Sequence, residues 1–489
     1  MYLGLDGEGP LYRQLTRALK AAVLDGRLKA GARLPATRAL SQELGLSRNT
    51  VRLAYDQLTA EGFFHGRSGA GSFVTLTPVV PTRNKPVATV APQSQFARRA
   101  RAIKNFGVGR LHRGLRYNLQ SGEPIHDPTA ITAWQRELAR AALHTSTNYP
   151  DTQGLPALRE AICDYLVRRR GMSCTPDDVV VVHGTQQAMA LATQVLVDPG
   201  DCVVLEDPHY QSVRQVVDVY GADVEAIATD ADGLACSELE AVNPKLIFVT
   251  PSHQFPRGSL MSMARRIELL NYADRRQCWI FEDDYDSEFR YDVHPLPALS
   301  ALDAADRVIY SGTFSKVLFP SLRLGYLVVP AALRRDFVRA KYLSDMGCAS
   351  IIQTAMAHYM QSGGFERHLR RVVQIGRARR EALIKGLQRV GKGYFDVNDS
   401  AAGMHLVAWM PKMTHAQCDQ LIEIAASHDL GLHPISRLYK KPPKVPGFLL
   451  GFAALSVTEI GAAMTVLEKS LGEWEKRQGP AHRKSARRE

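Results

Sequence analysis

Apolar residues return at every fourth position near the start of the chain: Leu11, Leu15, Leu19 and Val23 follow Pro10, and Asp25-Gly26 closes the run. That period predicts an amphipathic helix over Pro10–Leu24, with proline tolerated in its first turn. Thr37–Leu44 reads as a short helix, Gly45 as a tight turn, and Ser47 as the cap of a further helix running to about Glu61. On that last helix Val51, Ala54, Tyr55 and Leu58 share the apolar face. Arg48, Asn49, Thr50 and Arg52 are left near its N-terminus. The string F-F-H-G-R-S-G-A-G-S-F-V-T predicts a hairpin whose glycine-rich tip carries Arg67.

The pattern then changes twice. From Thr77 to about Leu115, prolines and small polar residues interrupt any apolar period, so a flexible linker is expected over 77–115. Further on, short apolar runs (Val179–Val182, Cys202–Leu205, Leu246–Thr250, Trp279–Glu282 and Val308–Tyr310) alternate with helical stretches such as Gln186–Leu196, Met263–Asp274 and Ala332–Ser344. Such alternation predicts an α/β fold with a mostly parallel, doubly wound sheet. About Gln353–Gly472 reads as a smaller α+β domain. The expected organisation is a DNA-binding domain over 1–76, the linker over 77–115, a body over 116–473 and a basic disordered tail over 474–489.

Charge sharpens that division. Of the net charge of +12, residues 1–75 hold ten Lys/Arg against six Asp/Glu, and residues 76–116 hold nine against none. The rest of the chain is close to neutral, so a polyanion is the partner expected for the front end. The seven cysteines form no C-x-x-C pair, which points to reduced thiols, a cytoplasmic setting and no structural metal. The first residues have neither a basic n-region nor an apolar h-region, so secretion is not expected, and no apolar run approaches the roughly 20 residues needed to cross a bilayer.

Candidate chemistry centres on V-I-Y-S-G-T-F-S-K-V-L-F-P-S-L-R-L-G-Y, residues 308–326. Lys316 follows a strand in a turn with hydroxyls at Thr313 and Ser315, and Arg323 stands seven residues on. A buried lysine amine forms a Schiff base with a carbonyl cofactor, and hydroxyls with an arginine suit a phosphate. The string resembles the lysine segment of fold-type I enzymes that use pyridoxal 5′-phosphate (PLP), in the spacing found in MocR-type transcription regulators. Residues 10–75 likewise resemble the GntR-type winged helix-turn-helix.

The resemblance runs from Pro10 to Glu473, and it implies roles for particular residues. Arg38, Ser47, Arg48, Asn49 and Arg52 would contact DNA, with Arg48 or Arg52 reading a base edge; Arg33 and Arg67 would touch phosphate. In the body Gly184, Thr185 and Gln186 open a helix where backbone amides suit a phosphate. Tyr210 would stack on the pyridine ring, Asp283 pair with its nitrogen, and Tyr285 bond its hydroxyl. T-P-S-H-Q-F-P-R-G (250–258) is a further family landmark. Tyr149 would reach the phosphate of a partner subunit, which implies a homodimer.

Two departures stand out. Phe255 occupies the place of a family asparagine, and Leu450 stands where aminotransferases carry the arginine that grips the substrate carboxylate. Arg437 is the candidate substitute for an effector carboxylate. The resulting expectation is a PLP-dependent regulator of double-stranded DNA that senses PLP or an amino compound through an aldimine at Lys316. The alternative is an active aminotransferase with an appended DNA-binding module.

Overall fold

The computed structural model describes residues 3–67, 69–75, 93–103, 112, 114–291, 296–391, 393–398 and 402–478, in two compact units, Met1–Gln93 and Ser94–Glu489. The first unit contains α1 (Leu11–Leu24), α2 (Thr37–Leu44) and α3 (Arg48–Ala60), then a hairpin of β1 (Phe64–Arg67) and β2 (Gly71–Val74). The strands pair antiparallel from Phe64 opposite Val74 to Arg67 opposite Gly71. Leu15, Leu19, Leu40, Val51 and Leu58 are fully buried together with Phe64 and Val74, so the helical stripe and the hairpin share one small core. This is a winged helix-turn-helix.

The second unit opens with α4 (Gln95–Ala102), β3 (Tyr117–Asn118), α5 (Pro128–His144) and α6 (Pro156–Arg170). Next come β4 (Val179–Val182), α7 (Thr185–Leu196), β5 (Cys202–Asp207), α8 (Gln211–Tyr220), β6 (Asp223–Asp230), β7 (Gly233–Leu234) and β8 (Leu246–Val249). After α9 (Met263–Arg276) the chain forms β9 (Trp279–Asp284), β10 (Val308–Thr313) and β11 (Gly325–Val328). The eight-stranded sheet has the order β4-β11-β10-β9-β8-β5-β6-β7. Its inner strands run parallel, while β11 lies antiparallel to both β10 and β4. Val179–Val182 and Val308–Thr313 are buried at every position, as expected for strands covered on both faces.

The C-terminal part contains α10 (Arg334–Asp345), α11 (Ser350–Gln361), the long α12 (Gly364–Gly391), β12 (Asp396–Asn398), β13 (His405–Trp409), α13 (His415–Ser427), β14 (Leu430–Gly431), β15 (Gly447–Gly451) and α14 (Val457–Arg477). The strands β12, β13 and β15 form a small antiparallel sheet, the α+β domain expected from the sequence.

Two sequence readings need correction. Within the range read as a flexible linker, α4 is a helix, capped by the Ser94 hydroxyl and docked on α8. Phe96 sets its ring edge-on against Tyr220 at 5.6 Å, and Arg99 Nη1 donates to the Tyr220 carbonyl at 3.4 Å. The remainder of that range, 77–92, 104–111 and 113, lies outside the described residues. Likewise the tail does not begin at 474: α14 continues to Arg477 because Trp474 is buried in the core. Residues 479–489 lie outside the described residues.

Candidate functional site

Parallel strands deliver their C-terminal ends, and the loops that follow them, to one edge of the sheet. There a cavity of about 550 Å³ opens, and most of the body residues singled out from the sequence line it. Asp283 and Tyr285 come from the end of β9, Thr313, Ser315 and Lys316 from the end of β10, and Tyr210 from the start of α8. Alternation along β9 turns successive carboxylates to opposite sides. Asp283 faces the cavity. Asp284 points into the body, where it meets the Arg170 guanidinium at 2.8 Å and accepts the Tyr310 hydroxyl.

At one end of the cavity are Thr185 and Gln186, the first residues of α7, beside Arg323. Gly184 adopts a positive φ of 77°, and a Cβ there would come within 3.5 Å of the Arg323 guanidinium. Arg323 is itself left-handed, at φ 48°, and its Nη2 donates to the His183 carbonyl at 2.7 Å. The cation is thus held over a helix N-terminus whose first amides have no intrahelical acceptor. With the Thr313 and Ser315 hydroxyls nearby, this end suits a phosphate.

Lys316 Nζ donates to the Gly122 carbonyl at 2.7 Å. Burial lowers its pKa, against the opposing pull of Asp286, Glu123 and Asp283, which favours the nucleophilic neutral amine. Asp283 is pushed up to about 8, first by burial and then by the charge of Asp284. Its Oδ1 is buried without a hydrogen-bond partner. A buried carboxylate so placed is costly unless a cation or N–H meets it, and a pyridinium nitrogen is such a group. The residues present therefore fit PLP. The Tyr210 ring packs edge-on to Phe255 at 5.7 Å on the same wall.

Several residues here were given no role by the sequence. His253 Nδ1 lies 2.9 Å from Asp286 Oδ2 and 3.0 Å from the Tyr285 hydroxyl, tying that phenol to a buried pair. His405 packs at a tilt against His253, 4.7 Å between ring centroids, and burial drives its pKa well below the usual imidazole value, leaving it neutral. Gly403 makes room for this pair: a Cβ there would sit 1.9 Å from His253 Cε1. Gln120, Gly122 and Glu123 complete the wall opposite. The string containing His253 was the only sequence signal for any of them.

Three residues stand elsewhere. Tyr149 is 84% exposed and does not line the cavity. Arg437 is exposed too and does not line the cavity; its carbonyl accepts from Gln211 Nε2 at 2.6 Å. Its expected place against the effector is not supported by the cavity wall. Leu450 is a fully buried core residue opposite Leu406 on β13.

In the N-terminal unit, Ser47 Oγ caps α3 by accepting from Thr50 N at 3.1 Å, and the two hydroxyls bond each other at 2.8 Å. Arg52 Nη2 donates to Asn49 Oδ1 at 2.9 Å. Arg33, Arg38, Arg48, Arg52 and Arg67 are all exposed, and among the described residues none of them enters an ion pair. By contrast Arg17, Lys20 and Arg27 are matched to Asp6, Glu61 and Asp25. Cations without an ion pair thus include those at the N-terminus of α3 and on the wing, where the Arg67 guanidinium lies 5.2 Å from the Phe73 ring centre.

Residues 11–74 match the family described as bacterial regulatory proteins, gntR family, and residues 117–427 match aminotransferase class I and II. Among curated proteins the chain is 35% identical over 482 residues to a probable rhizopine catabolism regulatory protein, MocR, of Rhizobium meliloti, spanning 96% of this chain and 97% of the relative. It is 32% identical to the HTH-type transcriptional regulator TauR of Rhodobacter capsulatus, over 81% of this chain and 84% of that one. Among solved structures it resembles the Pyrococcus horikoshii kynurenine aminotransferase in complex with PMP (26% identity, TM-score 0.66, 73% of this chain and 90% of that one). It also resembles the α-aminoadipate aminotransferase LysN of Thermus thermophilus, complexed with N-(5′-phosphopyridoxyl)-L-leucine (25% identity, TM-score 0.69, 78% and 98%). The chain belongs to the MocR group of GntR-type transcriptional regulators, in which a helix-turn-helix domain is fused to an aminotransferase-like domain.

Proposed function

We propose that the aminotransferase-like unit holds PLP and reads the arrival of an amino compound, and that this reading adjusts how the front unit binds its DNA operator. The observation that carries it is the buried, unpartnered Asp283 Oδ1 in the same cavity as the desolvated Lys316 amine. Arg323, the amides opening α7 and the hydroxyls of Thr313 and Ser315 would hold the phosphate. Asp283 would meet the ring nitrogen, Tyr285 the ring hydroxyl, and Tyr210 would flank the ring. Bound PLP supplies an aldehyde that condenses with amines.

The protein's own share is to keep Lys316 available, its amine desolvated and tethered by the Gly122 carbonyl. Asp283 ionises when a cation faces it, and the Asp286–His253 pair fixes the Tyr285 phenol. Sensing needs only binding. Its effect on DNA affinity must be matched by an equal effect of DNA on effector affinity. We assign Tyr149 to the phosphate site of a partner subunit, because its exposed ring has no role in its own cavity; the acting species is then a homodimer. Arg48 or Arg52 reads a base edge, and Arg33 and Arg67 grip phosphate.

The test uses the full chain loaded with PLP and reduced with borohydride, followed by peptide mass analysis. A pyridoxyl adduct on Lys316 is expected; an adduct elsewhere, or none, removes the cofactor assignment. Binding to DNA selected by the full chain from a random pool is then compared with and without PLP and amines. Affinity indifferent to both removes the sensing function.

A further inference from the structure

The charges lining the cavity restrict what the effector is. Among the described residues its cationic side chains are Lys316 and Arg323, and its acids are Glu123, Asp283 and Asp286. Arg323 lies with Gly184 at the phosphate end, and Lys316 is the group that an incoming amine displaces. His405 contributes no charge, being buried and neutral against His253. Arg170, Arg266 and Arg290, the arginines near Asp284 and Asp286, do not line the cavity, and Arg290 Nη2 donates to the Ser252 carbonyl at 3.1 Å. Arg170 is paired with Asp284, and Arg266 donates to the carbonyls of Met261, Pro297 and Pro251. Leu450 is sealed in the core, and Arg437 is off the wall.

An effector carboxylate would therefore enter a partly desolvated space in which the protomer's own described wall offers it no counter-charge and presents acids instead. Glu123 is exposed on the wall, accepts from Gln120 Nε2 at 3.4 Å, and acts electrostatically on the Lys316 amine. Gln120 and Ser212 are neutral polar groups on the wall whose chemistry suits hydroxyl or amino groups. The geometry points to an effector that is a primary amine without an anionic group, an amino alcohol or a diamine, with Glu123 receiving its far hydroxyl or ammonium. This deepens the reading of the cavity as a PLP-dependent amine sensor and rests on it. It runs against the amino-acid ligands that an aminotransferase-like cavity suggests. One favourable charge contact in place of an unfavourable one amounts to at least a tenfold difference in affinity, since about 1.4 kcal/mol is tenfold.

Matched pairs differing only by a carboxylate test it on the full-length, PLP-loaded protein: 1,4-diaminobutane against ornithine, and 2-aminoethanol against serine. The readouts are the shift of the bound-cofactor absorption band and the change in DNA affinity, each corrected for the same amine with free PLP. Half-saturation by the decarboxylated member is expected at a concentration at least tenfold lower in both pairs. Glu123→Gln should bring the diaminobutane-to-ornithine ratio towards one, and Glu123→Arg should invert it. Equal or tighter binding of ornithine and serine to the wild type would overturn the inference, placing a cation from beyond these residues against the effector. So would a Glu123→Gln protein with an unchanged ratio. Failure of all four amines to move a band fixed to Lys316 would overturn it as well, while leaving the cofactor assignment standing. Absence of any Lys316-linked band would instead sink the parent reading.

Discussion

With its pKa pushed up to about 8, chiefly by burial, Asp283 keeps its proton in the folded protein at neutral pH, whereas the unfolded chain releases it near about pH 4. The folded state thus binds the extra proton between those values. Stability from this group is fully present below the lower value and is lost as pH rises towards the upper one. Asp283→Asn should therefore flatten the fall in Tm between pH 5 and 8 in protein freed of cofactor. Glu206 and Glu288, each raised to about 7 chiefly by burial, still titrate, so the slope shrinks without vanishing. An unchanged slope would mean that Asp283 is ionised. Gly403→Ala should lower stability by about 1–3 kcal/mol, the usual range for overpacking, because the new methyl overlaps the His253 ring; denaturant melts measure it. Two arginines should separate cleanly in DNA titrations. Arg52→Ala should cost about 1–3 kcal/mol on the selected sequence and relax one base position. Arg67→Ala should weaken all sequences alike and reduce the salt slope by about 1.

At the scale of elements, strong local signals were readable and tertiary ones were not. The helix Thr37–Leu44 and the Ser47 cap are where turn chemistry and apolar spacing placed them, and the inner strands announced themselves as continuous valine-rich runs. The helix α4 escaped notice because Q-F-A-R-R-A-R-A has only Phe96 as a large apolar residue and three arginines. Its order comes from Tyr220, 121 residues beyond Arg99 in sequence. The strand β11 gave no hint of running antiparallel, since alternation does not encode direction. For the cavity, residues beside Lys316 or at strand ends could be nominated locally. His405, Glu123 and Gln120 could not, because they reach the same space from distant segments. If Phe96 is what docks α4, Phe96→Ala should speed amide hydrogen exchange across residues 95–102, while exchange in β9 and β10 stays slow. Protection retained in α4 would mean that Arg99 alone holds it.

For the whole molecule, charge and chemistry are divided between the ends of the chain. Phosphate contacts release counterions, so DNA affinity should fall steeply and linearly on a log–log plot against salt. Binding of an amino alcohol in the body should depend on salt far less over the same range, because it carries one charge in place of several phosphate contacts. Parallel titrations in rising salt read both, and equal slopes would mean that the two events share one electrostatic surface. Within the body, α8 joins the cavity to α4. Tyr210, Ser212 and Gln215, at its beginning, line the cavity, and Tyr220, at its end, receives Phe96 and Arg99 from the segment by which the chain enters the body. Ten residues make a rod about 15 Å long. Pivoted at one end, such a rod converts a tilt of about 4° into about 1 Å of travel at the other, so a small adjustment around a bound amine becomes a displacement of the linker's anchorage.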